Sequence, residues 1–188
     1  MIEQDLDLPS VIHILRQGGI IACPTEAVWG LSCDPDNQSA VMRLLALKQR
    51  SPEKGLILIA ATAEQLNGRI NLNKLPAQRR EAVLTSWPGP HTWAVPAAER
   101  AHSWLTGRHD TLAVRVSNHP LLRALCLAWG GPLVSTSANR SGQTPVRQRR
   151  DLDHTLLQQI DTVLEGTVGH LTQPTSITLA SNGKPLRY

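Results

Sequence analysis

Leu56-Ile57-Leu58-Ile59-Ala60-Ala61 is an unbroken apolar run bounded by Gly55 and Thr62, which reads as a strand buried on both faces. Such a strand needs a covering layer on each side, and its neighbours supply helices. Asn37-Gln38-Ser39 starts one whose apolar face is Val41, Leu44, Leu45 and Leu47; it must end before Pro52, which cannot continue a helix. Thr62 to Leu66 reads as a short helix that returns the chain, and Leu75 to Leu84 as a longer one.

Further out the alternation continues. Pro9-Ser10 caps a helix through Val11, Ile12, Ile14 and Leu15 that ends at Gly18-Gly19. Ile20 to Cys23 is a buried strand stopped by Pro24, and Thr92 to Val95 and Leu112 to Val116 are two more strands. His119-Pro120 opens a helix through Leu121, Leu122, Leu125 and Cys126 that closes at Gly130-Gly131. Pro132 to Ser135 runs as a strand into a polar loop. Arg147 to Arg150 precede a helix over Asp151 to Gln158, and short strands follow at Thr162 to Leu164, Ser176 to Ala180 and Lys184 to Arg187. The pattern predicts one α/β domain over residues 1–188, with a mixed sheet flanked by helices.

Composition narrows the classes. Five Trp, one Tyr and no Phe leave a core built from Leu, Ile, Val and Ala. Cys23, Cys33 and Cys126 are widely spaced with no Cys-x-x-Cys, which speaks against a disulfide scaffold or structural zinc and for a reducing compartment. Met1 to Asp5 is acidic and shows no signal peptide, and no apolar run approaches the ~20 residues of a membrane span, so a cytoplasmic protein without membrane contact is expected. The net charge of +4 fits either an ordinary soluble surface or a polyanionic partner. No Gly-x-Gly-x-x-Gly or Walker-type loop is present, and the seven His have no metal-ligand spacing, so no protein metal site is expected.

Five segments could carry chemistry. Pro24-Thr25-Glu26-Ala27-Val28-Trp29-Gly30-Leu31 follows a buried strand at the end where open α/β sheets place ligands; Thr25 offers a hydroxyl, Glu26 a carboxylate and Trp29 a flat wall. The plain alternative is a turn with a hydrophobic anchor. Lys48, Arg50 and Lys54 either complement the C-terminal end of a helix or converge on phosphate. Ser135-Thr136-Ser137-Ala138-Asn139-Arg140-Ser141-Gly142 reads as a cradle for phosphate or ribose made from hydroxyls and the loop's own N–H groups. Arg115 interrupts the apolar strand Leu112 to Val116, with Thr111 before it, and needs a partner: either Glu26 or a bound carboxylate. Pro174-Thr175-Ser176-Ile177 places hydroxyls at a strand start.

Taken in order, Pro24-Thr25-Glu26 before Trp29-Gly30-Leu31, Lys48-x-Arg50 and Ser137-x-Asn139 make the chain resemble the TsaC/YrdC family of threonylcarbamoyl-AMP synthases, in its short bacterial form. Ala40 to Arg50, Lys54 to Ala61, Trp87-Pro88-Gly89-Pro90 and Leu112 to Val116 add to the likeness. The resemblance implies a twisted YrdC/RibB-like sheet around a large basic cleft. It also implies a reaction in which L-threonine, bicarbonate and ATP give threonylcarbamoyl-AMP and pyrophosphate, with Mg²⁺ held mainly by substrate phosphates. The product would pass to a tRNA threonylcarbamoyl transferase complex that modifies adenosine 37 of tRNAs reading ANN codons. Carried over by position, Lys48, Arg50, Ser137 and Asn139 form the functional tetrad; Arg50, Lys54, Thr111, Ser137 and Asn139 meet ATP; Thr25, Trp29, Arg115, Ser135 and Thr175 or Ser176 hold threonine. Cys23 and Trp29 stand where many relatives carry Tyr or Phe, and Gly55 where many carry Pro. A second reading, from the charge and the Arg147, Arg149, Arg150 cluster, is a non-catalytic double-stranded RNA-binding or ribosome-maturation factor, with tRNA or double-stranded RNA as partner.

Overall fold

Leu58, Ile59, Ala60 and Ala61 are all fully buried or nearly so, and they sit in the middle of a nine-stranded sheet. The computed structural model describes residues 7–187, so the Met1 to Asp5 stretch read for targeting features lies outside the described residues. Its strands are β1 (Ile21–Pro24), β2 (Trp29–Ser32), β3 (Ile57–Ala60), β4 (Thr92–Pro96), β5 (Thr111–Val116), β6 (Leu133–Ser137), β7 (Thr162–Val163), β8 (Ile177–Leu179) and β9 (Pro185–Arg187). The helices are α1 (Leu8–Arg16), α2 (Gln38–Leu47), α3 (Ala77–Thr85), α4 (Ser103–Thr106), α5 (Pro120–Trp129) and α6 (His154–Leu157).

The spatial order β7-β1-β2-β6-β3-β5-β4-β8-β9 mixes parallel and antiparallel pairs. β3 runs parallel to β5 and antiparallel to β6, while β4 runs antiparallel to β5 and parallel to β8. Because side chains alternate across a strand, the sheet has two different faces. One carries Leu31, Leu58, Ala60, Leu112, Val114 and Val134 and is packed by α2, α4 and α6, with Trp29 and Trp87 in the same cluster. The other carries Ile21, Cys23, Ile59 and Leu133 and is packed by Val11, Ile12 and Leu15 of α1 and Leu121, Leu122, Leu125 and Cys126 of α5. Two helices cover only part of that second face, and the uncovered part becomes the site.

Several boundaries differ from the sequence expectation for local reasons. The cap of α1 is Asp7, whose carboxylate accepts from the Ser10 N–H, so the helix starts before Pro9 rather than at Ser10. The Asp151 to Gln158 helix is instead a 3-10 turn at Arg149–Asp151 and the four-residue α6, capped by Asp153. Trp29 to Ser32 is a strand, hairpin-paired with β1 in the register Pro24↔Trp29, where the sequence suggests a loop. Among the described residues no helix is long and apolar enough to cross a membrane.

Candidate active site

β5 alternates Leu112, Val114 and Val116 with Thr111, Ala113 and Arg115. The first set joins the core; the second lines a cavity of about 570 Å³ on the half-covered face. β6 contributes Ser135 and Ser137, β3 Ile57, β2 Gly30 and β4 Ala94. Small and hydroxyl side chains along this floor are what keep it concave. Gly30 sits in a close approach: a Cβ there would stand 3.0 Å from Thr25 Cγ2 and 3.2 Å from the Thr136 carbonyl oxygen, so these neighbours would have to give. The charged residues of the lining are Arg50, Lys54 and Arg115, joined by the exposed His109.

Arg50 and Lys48 part company at the end of α2. Gln49 takes a left-handed conformation (φ 51°), its N–H bonds the Ala46 carbonyl and the Arg50 N–H bonds the Leu45 carbonyl. This is a Schellman ending built without glycine. It sends Arg50 to the cavity, where Nη2 donates to the Gly55 carbonyl at 2.9 Å, and Lys48 inward. Lys48 is 3% exposed, and Nζ donates to the carbonyls of Ser137 and Asn139, the latter at 2.6 Å. Burial, with the Arg50 charge behind it, pulls its pKa from 10.5 to about 8; burial also lowers that of Arg50.

The loop after β6 is consequently tied down from beneath. The Ser141 N–H donates to the Lys48 carbonyl, the Ala138 N–H to Trp29, the Asn139 N–H to Ser137 and the Arg140 N–H to Gln143 Oε1. These four N–H groups are spent within the protein, while Ser135, Thr136 and Ser137 line the cavity. Asn139 Nδ2 bonds the carbonyls of Arg140 and Gln143, which holds the turn closed.

At the other end of the cavity Arg115 is 4% exposed and forked between three partners. Nη2 lies 3.1 Å from Glu26 Oε2, while Nη1 donates to Thr92 Oγ1 at 3.0 Å and Thr175 Oγ1 at 2.7 Å. Glu26 Oε1 accepts from Ser117 Oγ at 2.6 Å, and Ser117 Oγ accepts from the His119 N–H. The buried cation therefore has its counter-ion, the purely protein partner of the two that sequence left open. The backbone between β7 and β8 straps across this end: Gly169 N–H donates to the Thr25 carbonyl, Leu171 N–H to the Glu26 carbonyl, and His119 Nε2 meets the Thr167 carbonyl.

Of the sequence-expected residues, Thr25, Arg50, Lys54, Thr111, Arg115, Ser135, Ser137 and Thr175 line the one cavity. Lys48 and Asn139 lie behind its wall. Trp29 is a correction: at 1% exposure it belongs to the opposite core, because its neighbour Gly30 takes the cavity side of β2. Ser176 is outside the lining, between Thr175 and Ile177 which are in it. Arg147, Arg149 and Arg150 are engaged by the Leu171 carbonyl, Glu165 and Asp151. No Asp or Glu lines the cavity, and among the described residues no cluster of three or more His, Cys, Asp or Glu could hold a metal. This donor set does not fit a resident Mg²⁺.

The Sua5/YciO/YrdC family profile, described as "Telomere recombination", matches residues 13–187. The chain belongs to the Sua5/YrdC family. A protein of Stenotrophomonas maltophilia named threonylcarbamoyl-AMP synthase is 54% identical over 184 residues, covering 98% of this chain and 99% of that one. A protein of the same name from Xanthomonas axonopodis pv. citri is 54% identical over 182 residues, 97% of each chain. Among solved structures, Pyrococcus abyssi Sua5 complexed with L-threonine superposes with a TM-score of 0.85 at 26% identity over 95% of this chain. This chain spans 52% of that one, about half its length. Escherichia coli YciO, 21% identical with a TM-score of 0.81, shares the fold.

Proposed function

We propose that the protein is a threonylcarbamoyl-AMP synthase, which joins L-threonine, bicarbonate and ATP into threonylcarbamoyl-AMP and pyrophosphate. The single observation behind this reading is one cavity with cations and hydroxyls at one end (Arg50, Lys54, Thr111, Ser137), a braced guanidinium at the other (Arg115 with Thr25 and Thr175), and Ser135 between them. The family relatives of that name, matched over nearly their full length, support it.

The reaction asks little covalent work of the protein. Threonine's amine and bicarbonate form a carbamate with loss of water; a carbamate oxygen then attacks the α-phosphorus, whose bond to the bridging oxygen breaks as pyrophosphate leaves. Rate enhancement then rests on holding two substrates in line and on neutralising charge at the phosphates. Arg50, with a planar fork of donors, and Lys54 suit the second task. Ser137 and Thr111 give hydroxyls at the same end. Arg115 suits a carboxylate, since Glu26 fixes its orientation while other guanidinium protons stay available. Mg²⁺ arrives with ATP as part of the substrate. A cytoplasmic protein whose product passes to a transferase complex acting on adenosine 37 of ANN-reading tRNAs completes the proposal. Pure protein incubated with ATP, Mg²⁺, threonine and bicarbonate is expected to release pyrophosphate only when both small substrates are present. Release that ignores threonine and bicarbonate refutes the reading.

A further inference from the structure

The register of the sheet divides the cavity floor into levels along β5. Arg115 marks one level: Trp93 pairs with Val114, so Thr92, which bonds Arg115 Nη1 at 3.0 Å, stands beside Arg115 and keeps the guanidinium there. Thr111, paired with Pro96, marks another level at the far end of the strand. Between them lies Ala113, paired on one side with Ala94 and on the other with Ile57, which in turn pairs with Ser135. Ala113, Ala94, Ile57 and Ser135 all line the cavity.

The spacing has a chemical counterpart. Two residues of strand separate Ala113 from Arg115, about 7 Å. In a threonylcarbamoyl adenylate five bonds separate the amino-acid carboxylate carbon from the phosphorus, an extended reach of roughly 6 Å. With the molecule extended along β5, a carboxylate at Arg115 brings the phosphorus to the level of Ala113, and the nucleoside runs on toward Thr111.

We infer that Ala113 is the floor beneath the reacting atoms: its single methyl, next to Ala94, sets the depth at which the carbamate oxygen and the α-phosphorus can meet. This rests on the synthase reading and adds to it the residue that sets the gap between the two substrates. A branched side chain at this position leaves both ends of the cavity intact and closes the space between them.

The test is Ala113→Val. Its added methyl groups enter the cavity and not the core, so the melting temperature stays close to that of the parent. Adenylyl imidodiphosphate alone and threonine alone each bind with affinities within about threefold of the parent, because misplacement affects the joined geometry and not either half. Together they interfere: saturating nucleotide analogue weakens threonine binding in the variant at least about tenfold more than in the parent. Turnover falls ~100-fold, the scale of an ångström-sized misplacement of reacting groups. Undiminished turnover overturns the inference. So does loss of affinity for either ligand alone, which would put Ala113 inside one subsite instead of between two. If Ala113→Val does not fold, Ala94→Val, from the paired strand, is held to the same outcomes. A parent enzyme without threonine-dependent pyrophosphate release defeats the functional reading itself, whereas an active parent beside an equally active Ala113→Val defeats only the floor.

Discussion

Lys48→Met would remove a buried ammonium while nearly keeping the volume of its side chain, and its consequences can be worked from three contacts. Nζ donates to the Ser137 and Asn139 carbonyls, and Arg50 is the cation that bears on it. Hydrogen bonds from a charged donor are worth about 1.5–3 kcal/mol each, so their loss costs roughly 3–6 kcal/mol. Against this, a pKa drawn from 10.5 to about 8 means that folding at neutral pH carries a penalty of roughly 3 kcal/mol for burying the charge, which the variant escapes. The net loss near pH 7 is therefore about 0–3 kcal/mol. The pH dependence is sharper. Between about 8 and 10.5 the unfolded chain still holds the proton that the folded protein has released, so stability attributable to Lys48 rises with pH. Urea unfolding of parent and variant at pH 7.5 and pH 10 should show their gap widening by roughly 2–3 kcal/mol. Turnover of the parent should move the opposite way, falling above pH 8 as the charge beneath Ser137 is lost. Parallel stability curves would refute the claim that this ammonium is desolvated.

Three other outcomes follow from the same contacts. Glu26→Gln leaves the Arg115 guanidinium without its counter-ion; breaking a buried pair costs about 3–5 kcal/mol, and the KM for threonine should rise while that for ATP stays, as steady-state kinetics at varied threonine would show. Gly169→Ala places a Cβ 2.6 Å from the Glu26 carbonyl oxygen, so the strap must lift; a lowered melting temperature and weaker threonine binding in calorimetry are expected. Cys23, Cys33 and Cys126 are buried, with burial raising their pKa values to about 11, 12 and 12, so a chromogenic disulfide reagent at pH 8 should label none in the native protein and all three in urea.

What the sequence disclosed depended on whether a local pattern decided the structure. The apolar run Leu56 to Ala61, the helix from Asn37 and the Pro120 to Gly130 segment were legible because periodicity and caps act within one element. β2 was not legible as a strand: Trp29-Gly30-Leu31-Ser32 is too short to outweigh the Pro and Gly near it, and its pairing with β6 is long-range. That error carried Trp29 into the site, although alternation from Gly30 would have placed it in the core. Lys48 and Arg50 look equivalent in sequence; the left-handed Gln49 between them, a conformation unusual for a residue with a side chain, decides which one is buried. The polar loop after β6 was correctly located, but no local signal reveals that its N–H groups are taken by Trp29 and Lys48, residues about ninety or more positions away.

β5 carries the part of the site that its own alternation makes legible. Its alternation of Leu112, Val114, Val116 with Thr111, Ala113, Arg115 reads in the sequence as an apolar strand broken by one arginine. The two sets answer to different constraints. Core-side residues gain roughly 1.5–3 kcal/mol each from burial, so truncating Val114 weakens the fold. Cavity-side residues gain little from burial, and larger aliphatics in their place would fill the cavity at little cost to the fold. A floor of Ala, Ser, Thr and Gly is therefore not what stability alone selects on a sheet face that α1 and α5 could have been extended to cover. Its small side chains hold open a volume that a substrate must fill, and the charge at Arg115 is tolerated there only because Glu26, Thr92 and Thr175 surround it.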